Sequence, residues 1–419
     1  MSEIDDNFIE NKVEVDEKTK FIQDYEYHLQ KIIPNVPTQN AIDGIKFDFN
    51  FGLRFSFPPN YNHYKLICKN ADNKLYYYNN NIENDSFIVL MKKYLIQYDI
   101  EIKNILTDEI VFKHKFNLKN KDVLIAFPVY TLGDSIAWFS YIEKFQKKYK
   151  CNVYVLMNKE IEEIFYKQYP NLNFISEEDL KNYSFYATYY PGLFMNVINE
   201  FMPLNYKYTG LHKAIGMILG LRDDELKEEI PRVDLSAERK IKEKYVVIAT
   251  HSTAQCKHWN NPEGWYKTIK FLKENGYKVI CIDKYSVNGE GICFNKIPWG
   301  VEDYTGDISL QERIDIIKDA DFFIGLPSGL SWLAWCCKVP IVLISGFSLP
   351  CSEFYTPYRV INYDVCHGCW NDDKYEFNKN DFFWCPRKEN DIEKFECTKY
   401  ISAEQVINMI KTIPNFNNK

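Results

Sequence analysis

Residues 122–149 read DVLIAFPVYTLGDSIAWFSYIEKFQKKY, and the change of period within them decides the fold. DVLIAFPVY is a continuous apolar run, the pattern of a strand buried on both faces of a parallel sheet. After the turn TLGD the apolar positions recur at helical spacing. NVYVLMN and IEEIFYKQY then repeat strand and helix. Such βαβ alternation predicts a parallel sheet covered by helices. A second set starts near Lys244, with YVVIATHS, YKVICIDK, DFFIGLPS and PIVLISG as strands. GWYKTIKFLKENG, SLQERIDIIKDA and GLSWLAWCCKV are the helices between them, the first closed by a C-cap glycine. The fold class is therefore α/β, with two Rossmann-like halves and a cleft between them.

Working outward, the period falls to two before Lys121. KFDFNFGLRFSF, KLYYYNN, YLIQYDIEI and IVFKHKFNL alternate apolar and polar residues, which predicts an antiparallel β-barrel or sandwich. The expected organisation is an N-terminal arm and β domain over 1–120, α/β halves over 121–240 and 241–360, a cysteine-rich segment over 361–400, and a C-terminal helix and tail over 401–419. The N-terminus is acidic and has no apolar run, so it is no secretory signal. LSWLAWCCKVPIVLISGF is broken by Lys338 and Pro340 and is no membrane span. A cytoplasmic chain with reduced thiols is expected. The net charge of −7, from 51 basic and 58 acidic residues, argues against nonspecific nucleic-acid binding.

Three strand ends carry candidate chemistry. At the first, Asp134 starts a helix; it is a candidate general base facing the cleft or, more simply, a helix cap. At the second, Thr250, Ser252 and Thr253 precede Lys257, a cluster suited to a diphosphate with Lys257 as counter-charge. At the third, Ser328, Gly329 and Leu330 open a helix whose first N–H groups are free for phosphate. Trp299 is a candidate for stacking on a base. Thr305, Gly306 and Asp307 lie on a nearby loop, with Asp307 alternatively capping the next helix.

These motifs together resemble bacterial ADP-heptose glycosyltransferases, which have the GT-B fold. The resemblance rests on Gly133-Asp134, on Lys257 with Trp259 and Trp265, and on Ser328-Gly329-Leu330-Ser331-Trp332-Leu333-Ala334 followed by Pro340, and it covers roughly Val123 to Phe347. With the β-rich N-terminal domain and the cysteine-rich segment, the whole chain resembles the autotransporter O-heptosyltransferases. That resemblance implies transfer of heptose from ADP-heptose to serines of autotransporter passenger domains. It implies Asp134 as base, Lys257 on the donor phosphates, and Ser328, Gly329 and Leu330 as the donor-binding turn. It also implies a large ring-like homo-oligomer, a dodecamer. Lipopolysaccharide heptosyltransferases usually carry Asp-Thr-Gly where this chain has Pro327-Ser328-Gly329, which favours the protein-modifying branch over a nucleotide-sugar transferase acting on lipopolysaccharide. The single Asp-x-Asp triplet, Asp319-Ala320-Asp321, spans a helix end and a strand start, so donor binding is expected without Mg²⁺. A non-enzymatic scaffold is the reading from another class, and retention of Asp134 and Lys257 argues against it.

The chain has 12 cysteines, most of them in apolar runs as expected of buried free thiols. Cys366, Cys369, Cys385 and Cys397 differ: they sit in a polar segment and begin with a C-x-x-C pair. Four thiolates can close a tetrahedral structural site for zinc or iron. The family resemblance implies iron.

Overall fold

The computed structural model describes residues 29, 31–59, 63–83, 85–127, 131–193, 198–291, 293–387, 390–414 and 416. The acidic arm expected before residue 29 lies outside them.

Two parallel sheets form the centre. The first contains β1 (Asp122–Ala126), β2 (Asn152–Leu156), β3 (Asn173–Phe174) and β4 (Ala187–Tyr189), in the order β3-β2-β1-β4. The second contains β5 (Tyr245–Ile248), β6 (Lys278–Cys281), β7 (Glu302–Asp303), β8 (Phe323–Gly325), β9 (Ile341–Ile344) and β10 (Arg359–Val360), in the order β7-β6-β5-β8-β9-β10. Val123, Leu124, Ile125 and Ala126 are wholly buried, as are all four residues of β9 apart from a trace at Ile341. Each large apolar side chain hidden this way is worth about 2 kcal/mol. Five helices matter for the site: α1 (Leu132–Tyr149), α2 (Gly264–Glu274), α3 (Leu310–Ile317), α4 (Gly329–Cys336) and α5 (Ala403–Lys411).

The expected antiparallel unit is present as two four-stranded sheets. Phe47 of one sheet packs on Phe112 and His114 of the other, which makes the pair a small sandwich. KFDFNFGLRFSF does not run as one strand. It breaks into Lys46–Asp48 and Arg54–Ser56, paired as a hairpin, with Gly52 at φ +67° in the turn. The sandwich is joined to the first parallel sheet, because Phe49 donates to Tyr186 and accepts from Thr188 beside β4. IEEIFYKQY is also shorter as a helix than expected: only Lys159–Glu162 is helical, and turns follow. Among the described residues no helix is long and apolar enough to cross a membrane.

Candidate active site

The N-termini of α1 and α4, one from each half, meet at two glycines. A Cβ on Gly329 would stand 2.9 Å from Leu132 Cβ and 3.2 Å from Gly133 N. A Cβ on Gly133 would stand 3.0 Å from Trp332 Cδ1. The 2.9 Å approach is closer than real Cβ atoms come, and the others are tighter than most, so glycine lets the two helix starts pack this closely. Asp134, in the first turn of α1, is thereby brought to the start of α4.

Asp134 is not the helix cap. Thr131 holds that position, and its hydroxyl donates to the Asp134 carboxylate. Burial of the carboxylate raises its pKa above the ordinary value, opposed by the Thr131 hydrogen bond and by the positive charge of Lys257. Asp134 and Lys257, predicted separately from two halves of the sequence, are thus electrostatic neighbours.

The loop after β5 is held from beneath. Asp283 is 1% exposed and accepts from Thr250 N at 2.7 Å, Thr250 Oγ1 at 2.9 Å and His251 N at 3.1 Å. Thr250 therefore anchors the loop through a hydroxyl already in use. Arg313 of α3 braces the segment behind it, donating to Ile282 O at 3.1 Å and Gly306 O at 2.8 Å. Sequence reading missed Asp283 and Arg313, because their partners are mainly backbone groups that no motif encodes.

Ser252 and Ser328 stand differently. Both hydroxyl oxygens are buried and have no hydrogen-bond partner among the described residues, and neither has either ring nitrogen of His251. Buried polar atoms without partners are rare and mark places where a ligand or water completes the set. Thr253 is exposed, and Leu330 is half-buried against the core. Asp307 is exposed, and its charge faces Arg313. Ser309, through a capping box with Glu312, caps α3 in its place. Trp299 is not brought to this cluster. It is 90% exposed and lies over the outer flank of α2, in a depression with Tyr266, Lys270 and Lys273.

The cysteine-rich segment packs directly on the loop that carries Lys257. Gln255 N donates to Phe382 O at 2.8 Å, and Asn260 Nδ2 to Thr398 Oγ1 at 2.8 Å. Ala254 and Cys256 share a small apolar cluster with Phe347, Trp370, Phe377 and Trp384. The segment also reaches the first half: Lys207 Nζ donates to Asp372 O at 2.8 Å and Tyr375 O at 2.7 Å. Its four cysteines sense one another. Hydrogen bonds from Cys397 and Arg387 hold the Cys366 thiol down, at about 6. Burial, with the charges of Cys366 and Cys385, pushes Cys369 up to about 12. Among the described residues, no three His, Cys, Asp or Glu side chains are gathered closely enough to form a metal cage.

Comparison with known proteins agrees with this architecture. The profile of glycosyltransferase family 9 (heptosyltransferase) matches residues 185–373, and that of the glycosyltransferase TibC N-terminal domain matches residues 42–105. The autotransporter heptosyltransferase Aah of Escherichia coli is 43% identical over 91% of this chain and 96% of its own length. The chain belongs to the autotransporter heptosyltransferases. It is a glycosyltransferase with an α/β fold and N-terminal antiparallel sheets. The crystal structure of TibC from enterotoxigenic E. coli H10407, described as an iron-containing dodecameric glycosyltransferase, superposes with a TM-score of 0.87 at 41% identity, covering 91% of this chain and 98% of that one. A TibC complex with ADP-D-β-D-heptose matches equally well, with a TM-score of 0.87, 41% identity and the same coverage of 91% and 98%. In this heptosyltransferase, then, Asp134, Lys257 and the unpartnered Ser252 and Ser328 hydroxyls lie in a chain of the right family for a nucleotide-sugar donor.

Proposed function

We propose that this heptosyltransferase moves heptose from ADP-heptose to serine hydroxyls of an autotransporter passenger domain, in the cytoplasm. The two parallel sheets serve as the Rossmann-like halves of a GT-B enzyme, residues 121–240 on the acceptor side and 241–360 on the donor side. The observation that carries the reading is the Gly133–Gly329 contact, which sets Asp134 at the start of α4, with the charge of Lys257 acting on its carboxylate. A carboxylate of raised pKa is a better base than an ordinary one near neutral pH. Asp134 takes the serine proton as the serine oxygen bonds to the anomeric carbon. The bond from that carbon to the β-phosphate oxygen breaks, and ADP leaves with inversion at the sugar.

Charge builds on the departing diphosphate, and Lys257 with the free N–H groups at the start of α4 stabilises it. The unpartnered Ser252 and Ser328 hydroxyls supply hydrogen bonds there. In Asp319-Ala320-Asp321, Asp319 pairs with Lys318 at 2.8 Å, and the backbone of Asp321 joins the sheet through Tyr245 O. Lys257 provides the counter-charge, so donor binding needs no Mg²⁺.

Cys366, Cys369, Cys385 and Cys397 fit a single iron by donor chemistry, because all four are soft thiol ligands in one segment. Iron held there would cross-link the segment as a closed structural site, with zinc as the alternative metal. The relatives named as dodecameric support a large ring-like homo-oligomer for this chain too. Incubation with ADP-heptose and a passenger fragment, read by intact mass, tests the transfer. Heptose-sized increments are expected with the native chain and none with Asp134→Asn; equal modification by both would remove Asp134 from the mechanism.

A further inference from the structure

We propose that Phe377, together with Phe347, is a positioning residue for Lys257, so that the cysteine segment sets the enzyme's affinity for its diphosphate. This rests on the reading of Lys257 as a phosphate contact. The Lys257 ammonium lies 5.4 Å from the Phe347 ring centre and 5.5 Å from that of Phe377. The two rings are 5.1 Å apart and tilted by 59°. Trp384 packs on both, at 5.9 Å from Phe347 and 5.1 Å from Phe377. Trp370 backs them at 5.6 Å and 5.7 Å. Phe377, Trp370 and Trp384 all belong to the cysteine segment, whereas Phe347 follows β9.

The choice of aromatic faces has a physical logic. A lysine side chain has several rotatable bonds, and holding it still has an entropic cost. A carboxylate in direct ion pair could fix it, but would neutralise more of the charge that the donor diphosphate needs. Ring faces attract an ammonium within about 6 Å without cancelling its charge. Among the described residues no carboxylate lies within ion-pair distance of Lys257; Asp134 acts on it only through longer-range charge, and the two rings are what touch the ammonium.

The test is ADP binding to the purified full-length protein, by calorimetry, without sugar or acceptor. Phe377→Leu is expected to weaken binding about 5-fold, within the range of a partly exposed cation–π contact, and Phe377→Tyr to restore it to within about 2-fold of native. Replacement of Phe377 by pentafluorophenylalanine keeps the ring's shape but abolishes its negative face, and is expected to weaken binding as Phe377→Leu does. In a Lys257→Ala background, Phe377→Leu should add nothing. Native-like binding by the fluorinated protein, or an undiminished effect of Phe377→Leu without Lys257, overturns the proposal. Metal content and melting temperature show whether Phe377→Leu has lost the segment; if it has, the fluorinated protein decides. Should Lys257→Ala alone bind ADP normally, the phosphate-contact reading falls and this proposal with it. Should Lys257→Ala weaken binding while both Phe377 replacements do not, only the positioning role is lost.

Discussion

The glycine seam between α1 and α4 and the cysteine segment bear on the same two residues, Asp134 and Lys257, yet they are held together by opposite means. At the seam the two helix starts pack so closely that one added carbon would press on Leu132 or Trp332. Its order comes from volume, backed by strands that are wholly buried. The cysteine segment is mostly turns and bends, with the one-turn Cys369–Asn371 and the short Glu396–Lys399 helix. Its order comes from a small aromatic cluster, four thiols and a few hydrogen bonds to neighbouring loops. The proposed base, Asp134, is placed on the part that packing fixes. Lys257, the proposed phosphate contact, is placed where order depends on side-chain chemistry.

That contrast can be broken at the seam first. Asp134→Asn keeps the shape and removes the base, so kcat should fall by about 10³-fold while ADP binding persists. Single-turnover kinetics with ADP-heptose would check this, and normal turnover would defeat the assignment. On the other side, Cys366→Ser removes a thiol that Cys397 and Arg387 both engage. The expected outcome is loss of bound metal, weaker ADP binding and a lower melting temperature, with the parallel sheets still folded by circular dichroism. Lys257→Ala should weaken ADP binding by about 10- to 100-fold, the range for losing one charged hydrogen bond. Gly329→Ala should cost about 1–3 kcal/mol by overpacking, read from urea unfolding, and should reduce turnover more than ADP affinity.

The smallest effect is on pH. Because burial raises the pKa of Asp134, its base form is lost as pH falls through that raised value. The rate should therefore decline on the acid side at a higher pH than an exposed aspartate would give. The same sign makes the ionised carboxylate a cost to folding above the ordinary aspartate pKa. Asp134→Asn should thus be slightly more resistant to unfolding at neutral pH than the native chain.

The sequence made the seam legible because glycine and a chemical residue stood together at buried strand ends: Gly133-Asp134 and Ser328-Gly329. It showed Lys257 because that residue closes a cluster of hydroxyls, Thr250, Ser252 and Thr253, after a strand end. Asp283 was hidden because its role is to receive N–H groups, which every residue type supplies. The aromatic cradle was hidden because Phe347 and Phe377 are distant in the chain and each looks like ordinary core. Trp299 looked plausible only by following a strand; nothing in its neighbours said which flank of α2 it would occupy. The polar cysteine segment seemed unable to form a core of its own, and it does so only by sharing Ala254, Cys256 and Phe347 with the second half.

The seam has a consequence for inheritance. Gly133 and Gly329 lie in different halves, and a Cβ at either would press on the other half, on Trp332 or on Leu132. A drift to alanine at either position must be accommodated by a shift in the opposite half. Exchange of one half between relatives would join two surfaces only where both partners bring glycine to the seam. The contact therefore acts as a compatibility lock, binding the histories of two otherwise separate folding units.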